Sequence, residues 1–342
     1  MGFDYINKMP TPSETKQQFP LPKSLREQKR VRDDTIKKIL RGEDNRFIVI
    51  IGPCSADNET SVLDYVTRLA KVADETKDQL FIVPRIYTSK PRTTGSGYKG
   101  LLHQPDSEKM SDMYAGYLAV RRLHMNVIKE TGLTTADELL YPEAYEYISD
   151  LLCYMAIGAR SVENQQHRLT ASGLDIPCGM KNPTGGDLSV MMNAITAAQN
   201  SHHFDFRGWE VVSEGNPYAH ALMRGYTDIS GKSVPNYHYE DIRILSDLYA
   251  KSGLQNPSVI IDANHANSGK KYLEQVRICR EVLLNRQYSD DLKKLIKGVM
   301  IESYIEDGNQ KVGGGKYGCS ITDPCLGWEK TQALLYEMAE KI

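Results

Sequence analysis

The chain has 342 residues, with 42 Lys and Arg against 44 Asp and Glu and a formal charge of −2. That length suits one barrel of about 250 residues plus an extension of several tens. The balanced charge leaves no nucleic-acid footprint, no apolar run approaches the roughly 20 residues of a membrane span, and Met1–Pro10 lacks a leader's basic start and apolar core, so a cytoplasmic chain is expected.

Residues 1–44 read as an N-terminal arm and helix. Pro10, Pro12, Pro20 and Pro22 predict an extended arm over residues 1–23. Ser24 is placed to cap a helix that runs to about Arg41 and stops at Gly42. Its polar face is dense with Arg and Lys, which fits a solvated helix packed on the rest of the chain or on a partner subunit.

Residues 45–342 read as a single catalytic domain. Eight short apolar runs follow one another, each delivering a polar or charged residue near its end. Phe47–Ile51 leads to Cys54, Leu80–Pro84 to Arg85, Leu133–Ala136 to Glu138, Ala156–Ala159 to Arg160 and Ile176–Met180 to Lys181. A weaker sixth run lies near Phe204–Val212; then Val259–Asp262 leads to His265 and Val299–Ile301 to Glu302. Segments with helical spacing separate them, such as Val62, Tyr65, Val66, Leu69 and Ala73. Alternating strands and helices predict parallel strands joined by crossovers, and eight units predict a (β/α)8 TIM barrel with an N-terminal helical extension. The chemistry of such a barrel sits where its strands end.

Two sets of residues fall at those ends. Arg85, Lys90, Arg92, Lys99, Arg160, Lys181 and Arg224 are cations whose convergence on one mouth needs anionic ligands to offset their repulsion. The densest piece, Lys90-Pro91-Arg92-Thr93-Thr94, has the residue types of a phosphate loop. Gly95–Gly100 spells G-x-G-x-x-G, but it follows a basic loop rather than a strand and opens no predicted helix, so it is not read as a dinucleotide site. The second set is Cys54, His265, Glu302 and Asp323: thiol, imidazole and two carboxylates at or beyond the ends of the first, seventh and eighth strands. These suit one divalent ion among Mn²⁺, Fe²⁺, Co²⁺ and Zn²⁺. None of the six cysteines forms a C-x-x-C pair, and all but Cys54 read as reduced, buried apolar residues.

In order and spacing, Ile51-Gly52-Pro53-Cys54-Ser55, Lys90–Thr94, Ile157-Gly158-Ala159-Arg160, Gly179-Met180-Lys181-Asn182, Asn264-His265-Ala266-Asn267-Ser268, Glu302-Ser303 and Ile321-Thr322-Asp323 carry a family resemblance. From about Leu25 onward the chain resembles the class I 3-deoxy-D-arabino-heptulosonate 7-phosphate (DAHP) synthases of the short microbial type. The resemblance implies condensation of phosphoenolpyruvate with erythrose 4-phosphate, the first step of the shikimate pathway, by a homodimer or homotetramer. It implies metal binding by Cys54, His265, Glu302 and Asp323. Arg85, Lys90, Lys99, Arg160, Lys181 and Arg224 would surround phosphoenolpyruvate with Glu138 nearby, and Arg92, Thr93 and Asn182 would take erythrose 4-phosphate. Lys90 is the candidate proton donor to the new alkoxide, with His265 or metal-bound water as rivals. Neighbouring cations such as Arg92 are expected to lower its pKa. Departures from the family pattern include Tyr98, Tyr141, Asn264 and the segment Trp209–Pro217. This segment and Asp175 bear on whether an aromatic amino acid inhibits the enzyme, as in many relatives.

Overall fold

A computed structural model describes residues 2–342. Eight strands form the barrel: β1 (Phe47–Gly52), β2 (Leu80–Pro84), β3 (Thr135–Leu139), β4 (Leu152–Ile157), β5 (Cys178–Lys181), β6 (Ala219–Met223), β7 (Val259–Asp262) and β8 (Ile296–Glu302). All are parallel, hydrogen-bonded in the order β2-β1-β8-β7-β6-β5-β4-β3. The two ends of that sheet meet through a single parallel bridge between Arg85 and Ala136, so the (β/α)8 barrel is nearly closed and its β2–β3 seam is the weakest.

Almost every strand residue is buried, because one face fills the barrel and the other lies under helices. Ile48, Ile50, Phe81, Val83, Ala136, Tyr154, Leu222, Ile260 and Met300 pack together inside. The alternate residues Val49, Ile51, Ile82, Ile157 and Ile261 join the outer layer with the helices.

The N-terminal region departs from an extended arm, since α1 (Pro12–Gln18) follows a capping box in which Thr11 and Glu14 bond each other's backbone. The next helix, α2 (Lys23–Arg41), is preceded by Pro22 at its N-cap, so Ser24 sits inside the first turn rather than capping it. Gly42 ends α2 with φ 78°, as expected of a left-handed stop. Ile36, Ile39 and Leu40 of α2 belong to the barrel's inner cluster, so this helix stoppers the end at which the strands begin. Part of its basic face is recruited too: Arg32 lies 4.5 Å over the Phe81 ring and donates to Ile82 O at 2.6 Å.

The expected sixth strand needs correction. Phe204–Val212 falls in an antiparallel hairpin, His203–Phe206 with Trp209–Val212, outside the barrel. Arg207 (φ 56°) and Gly208 (φ 75°) make its two-residue turn, and Trp209 and Val212 are exposed. The barrel's sixth strand is Ala219–Met223, whose Ala-His-Ala-Leu-Met run carries little of the β-branched signal of its neighbours.

Candidate active site

Barrel register brings distant segments together. Gly52 of β1 pairs with Glu302 of β8, placing the loop that carries Cys54 beside the end of β8. Cys54, Glu302 and Asp323 each offer a ligand atom within 4.8 Å of the others, forming a possible metal site. His265 stands at its edge, with Nε2 3.7 Å from Glu302 Oε1. Its φ of 48° is strained for a residue with a Cβ, and Asp262 Oδ2 lies 2.7 Å from its Nδ1. Despite that distance neither atom makes a well-aligned hydrogen bond, and Arg85 Nε is also unpartnered.

Glu302 is held from several sides. Arg85 Nη2 donates to it at 2.9 Å, Asn264 Nδ2 donates at 2.5 Å, and Gln275 Oε1 accepts from its backbone N–H at 2.8 Å. Burial, then the charge of Glu302, raises the Cys54 thiol, and burial lowers His265. A metal ligand must be free of its proton, a condition that the neutral imidazole meets and that the thiol would meet only by releasing its proton on binding.

A cavity of about 460 Å³ opens on this cluster, lined by Cys54, Arg85, Lys90, Arg92, Thr93, Glu138, Arg160, Lys181, Arg224, His265 and Asp323. Lys90 Nζ lies 2.8 Å from Cys54 Sγ and 3.0 Å from Asp323 Oδ2. The expectation of a lowered pKa fails here. Burial alone would depress Lys90, but Cys54, Asp323 and Glu302 outweigh it and raise the ammonium's pKa. Lys181 donates to Glu138 at 2.6 Å. Burial would raise Glu138, but the Lys181 charge and hydrogen bond hold it below the ordinary carboxylate range. A Cβ at Gly158 would stand 2.8 Å from Glu138 Oε1, so Ile157-Gly158-Ala159-Arg160 needs its glycine to let that carboxylate pass.

A second set of cations differs. Arg160 Nε donates to Thr93 Oγ1 at 3.0 Å and Arg92 Nε to Tyr98 O at 2.8 Å. Arg224 is mostly buried, and burial lowers its pKa. Among the described residues none of these three arginines has a carboxylate partner, so their charge is left for a ligand.

Two expected substrate contacts stand back from the cavity. Asn182 is fully buried and does not line the cavity. Its Oδ1 accepts from Arg224 N and Asn236 Nδ2, and its Nδ2 donates to Pro183 O and Gly225 O, so no group is left over for substrate. Its effect is to hold the Arg224 loop. Lys99 does not line the cavity either; its carbonyl accepts from Lys90 N at 2.9 Å and fixes the loop. The Gly95–Gly100 stretch is irregular, with bends at Gly95 and Gly97, and no helix opens on it.

Sequence reasoning missed Lys270, whose Nζ lies 2.9 Å from Asp323 Oδ1, and the Glu302 supports Asn264 and Gln275. Lys270 stands five residues beyond His265, and that spacing is the one signal that could have raised it. All six cysteines are buried and free. Among the described residues no helix is long and apolar enough to cross a membrane.

A family model described as the DAHP synthetase I family matches residues 16–336. The chain is 38% identical over 345 residues to the Trp-sensitive phospho-2-dehydro-3-deoxyheptonate aldolase of Escherichia coli O6:H1, covering 98% of this chain and 96% of that one. It is 40% identical over 315 residues to the Phe-sensitive enzyme of Escherichia coli K12, covering 90% and 87%. A solved phospho-2-dehydro-3-deoxyheptonate aldolase from Francisella tularensis SCHU S4 superposes with a TM-score of 0.93 at 31% identity, covering 100% of this chain and 98% of that chain.

Proposed function

This chain belongs to the DAHP synthetase I family of enzymes, and on that premise we propose that it condenses phosphoenolpyruvate with D-erythrose 4-phosphate and water, giving 3-deoxy-D-arabino-heptulosonate 7-phosphate and phosphate. That reaction opens the shikimate route to the aromatic amino acids. Cys54, Glu302, Asp323 and His265 would hold one divalent ion, and their mixed sulfur, oxygen and nitrogen donors suit Mn²⁺, Fe²⁺, Co²⁺ or Zn²⁺. When bound, the ion supplies Lewis-acid polarisation of the aldehyde oxygen.

The protein's own groups do the rest. Arg160, Arg224, Lys181 and Arg85 take the carboxylate and phosphate of phosphoenolpyruvate, with Arg supplying a forked grip and Lys a movable charge. Arg92 and Thr93 take the phosphate of the four-carbon aldose. The enol carbon attacks the aldehyde, cationic character develops at the phosphate-bearing carbon, water adds there, and phosphate leaves. Lys90 is the proton donor to the new alkoxide, its ammonium held at the cluster by Asp323 and Cys54. Glu138 is held ionised by Lys181 and is available to accept a proton from the adding water. A homo-oligomer in the cytoplasm is the setting that accompanies this reading.

The observation that carries it is the juxtaposition of three carboxylate-free arginines with a thiol–carboxylate cluster in one cavity. The test is phosphate release by the purified protein from phosphoenolpyruvate and erythrose 4-phosphate with Mn²⁺, and its loss on chelation. Silence with erythrose 4-phosphate but turnover with arabinose 5-phosphate would move the enzyme to a sibling reaction; silence with both would sink the assignment.

A further inference from the structure

Lys90 reaches the cluster from a loop leaving β2 at the weakest seam of the barrel. Backbone pairing between β2 and β3 ends just beyond the Arg85–Ala136 bridge, where Ile86 N donates to Ala136 O at 2.9 Å. From there a side chain continues the connection. Asp137, on β3 and 3% exposed, accepts from Thr88 N at 3.0 Å, from Thr88 Oγ1 at 2.5 Å and from Glu138 N at 2.7 Å. His124 of helix α3 (Met113–Thr131) backs it, with Nε2 3.5 Å from Asp137 Oδ2 and Nδ1 2.7 Å from Thr135 Oγ1.

Thr88 is itself gripped on its other side. Its carbonyl accepts from Leu102 N at 3.0 Å, and a Cβ on Gly100, whose φ is 97°, would lie 2.4 Å from that oxygen. One buried carboxylate therefore holds the root of the loop that presents Lys90 two residues later. The same carboxylate binds the backbone of Glu138, the partner of Lys181. Asp137 does not line the cavity, so it can act on substrate only through these neighbours.

We infer that Asp137 and Thr88 form a clasp that positions Lys90 against Cys54 and Asp323, making both of them positioning residues for the reaction. The inference rests on the role proposed for Lys90, and its test separates the two. Thr88→Val removes the hydroxyl at nearly constant volume, Thr88→Ser keeps it, and Asp137→Asn keeps shape while losing an acceptor. Thr88→Val and Asp137→Asn are expected to lower kcat roughly 10- to 100-fold in the Mn²⁺-loaded enzyme, with KM changing less, because a displaced donor weakens the transition state more than binding. Thr88→Ser is expected to restore most of the rate. The double variant should be little worse than the worse single one, since both changes break one contact.

Hydrogen exchange over residues 88–100 reads the clasp without substrate, and it should accelerate in Thr88→Val while Tm moves by only a few degrees. Unchanged exchange and unchanged kcat in Thr88→Val would overturn the clasp, as would a Thr88→Ser variant as slow as Thr88→Val. A wild-type enzyme that fails to turn over the substrates would instead overturn the proposed reaction, leaving the exchange result to decide the clasp. If Asp137→Asn does not fold, the two Thr88 variants still decide it.

Discussion

The cations of the cavity follow two opposite electrostatic plans. In one set each cation has an acidic partner: Arg85 with Glu302, Lys90 with Asp323 and Cys54, Lys181 with Glu138, and Lys270 with Asp323. In the other set Arg92, Arg160 and Arg224 lean on neutral oxygens or on nothing. Paired charges support the fold as well as the site, whereas unpaired ones are free for a ligand alone. Removing one member of a buried pair leaves the other uncompensated, a cost of several kcal/mol. Removing an unpaired arginine relieves repulsion, so it should cost binding but not stability.

The largest expected effect therefore falls on the paired set. Glu302→Ala strands Arg85 and removes a proposed ligand, so activity should fall by at least ~100-fold, beyond the loss typical of an outer-shell partner, with metal retention after dialysis as the direct measurement. Next come Arg160→Ala and Arg224→Ala. Loss of one charge-assisted contact of about 1.5–3 kcal/mol should raise KM for phosphoenolpyruvate roughly 10- to 150-fold, with an unchanged or slightly higher Tm. A fall in Tm as large as that of Glu302→Ala would erase the distinction between the two sets.

Acid sharpens the contrast. Glu138 titrates below its ordinary value because Lys181 outweighs the cost of burial. The unfolded chain therefore binds more protons in that range, and the pair's contribution is complete above the ordinary glutamate value of about 4.3. It should be lost as the pH falls through the lowered folded value. Urea midpoints followed downward from pH 6 should show this loss in wild type and less of it in Glu138→Gln. Equal slopes would contradict a stabilising role for the pair. The smallest effect belongs to Lys270→Ala. Its side chain is 58% exposed, against 14% for Lys90, so its bond to Asp323 should contribute no more than about 1 kcal/mol. A double-mutant cycle with Asp323→Asn measures it.

Part of this site is legible along the chain. Cys54, Arg85, Glu138, Arg160, Lys181 and Glu302 all follow short apolar runs, and a closed barrel gathers strand ends on one mouth. Where the reading and the folded chain differ, the local signal was weak or misleading. Phe204–Val212 looks more strand-like than Ala219–Met223, yet it forms an outlying hairpin, because a strand is assigned by its partners as much as by its own residues. Asn182 sits beside Lys181 and shares its motif, but it faces the neighbouring loop and spends all its hydrogen bonds there. Lys90 shows the same limit in charge. Its sequence neighbours are cations, whereas its spatial neighbours are Cys54, Asp323 and Glu302, which reverse the direction of its shift.

Hydrophobic periodicity and the residues that interrupt it are properties of a linear chain, so the barrel, its catalytic end and the chemical types available there were settled by the sequence alone. Partnership is not such a property. Coulomb and hydrogen-bond energies depend on separations of a few ångström between residues tens or hundreds of positions apart. Only the folded barrel decided that Asp323 meets Lys90, that Asp137 clasps Thr88, and that three arginines were left without a carboxylate.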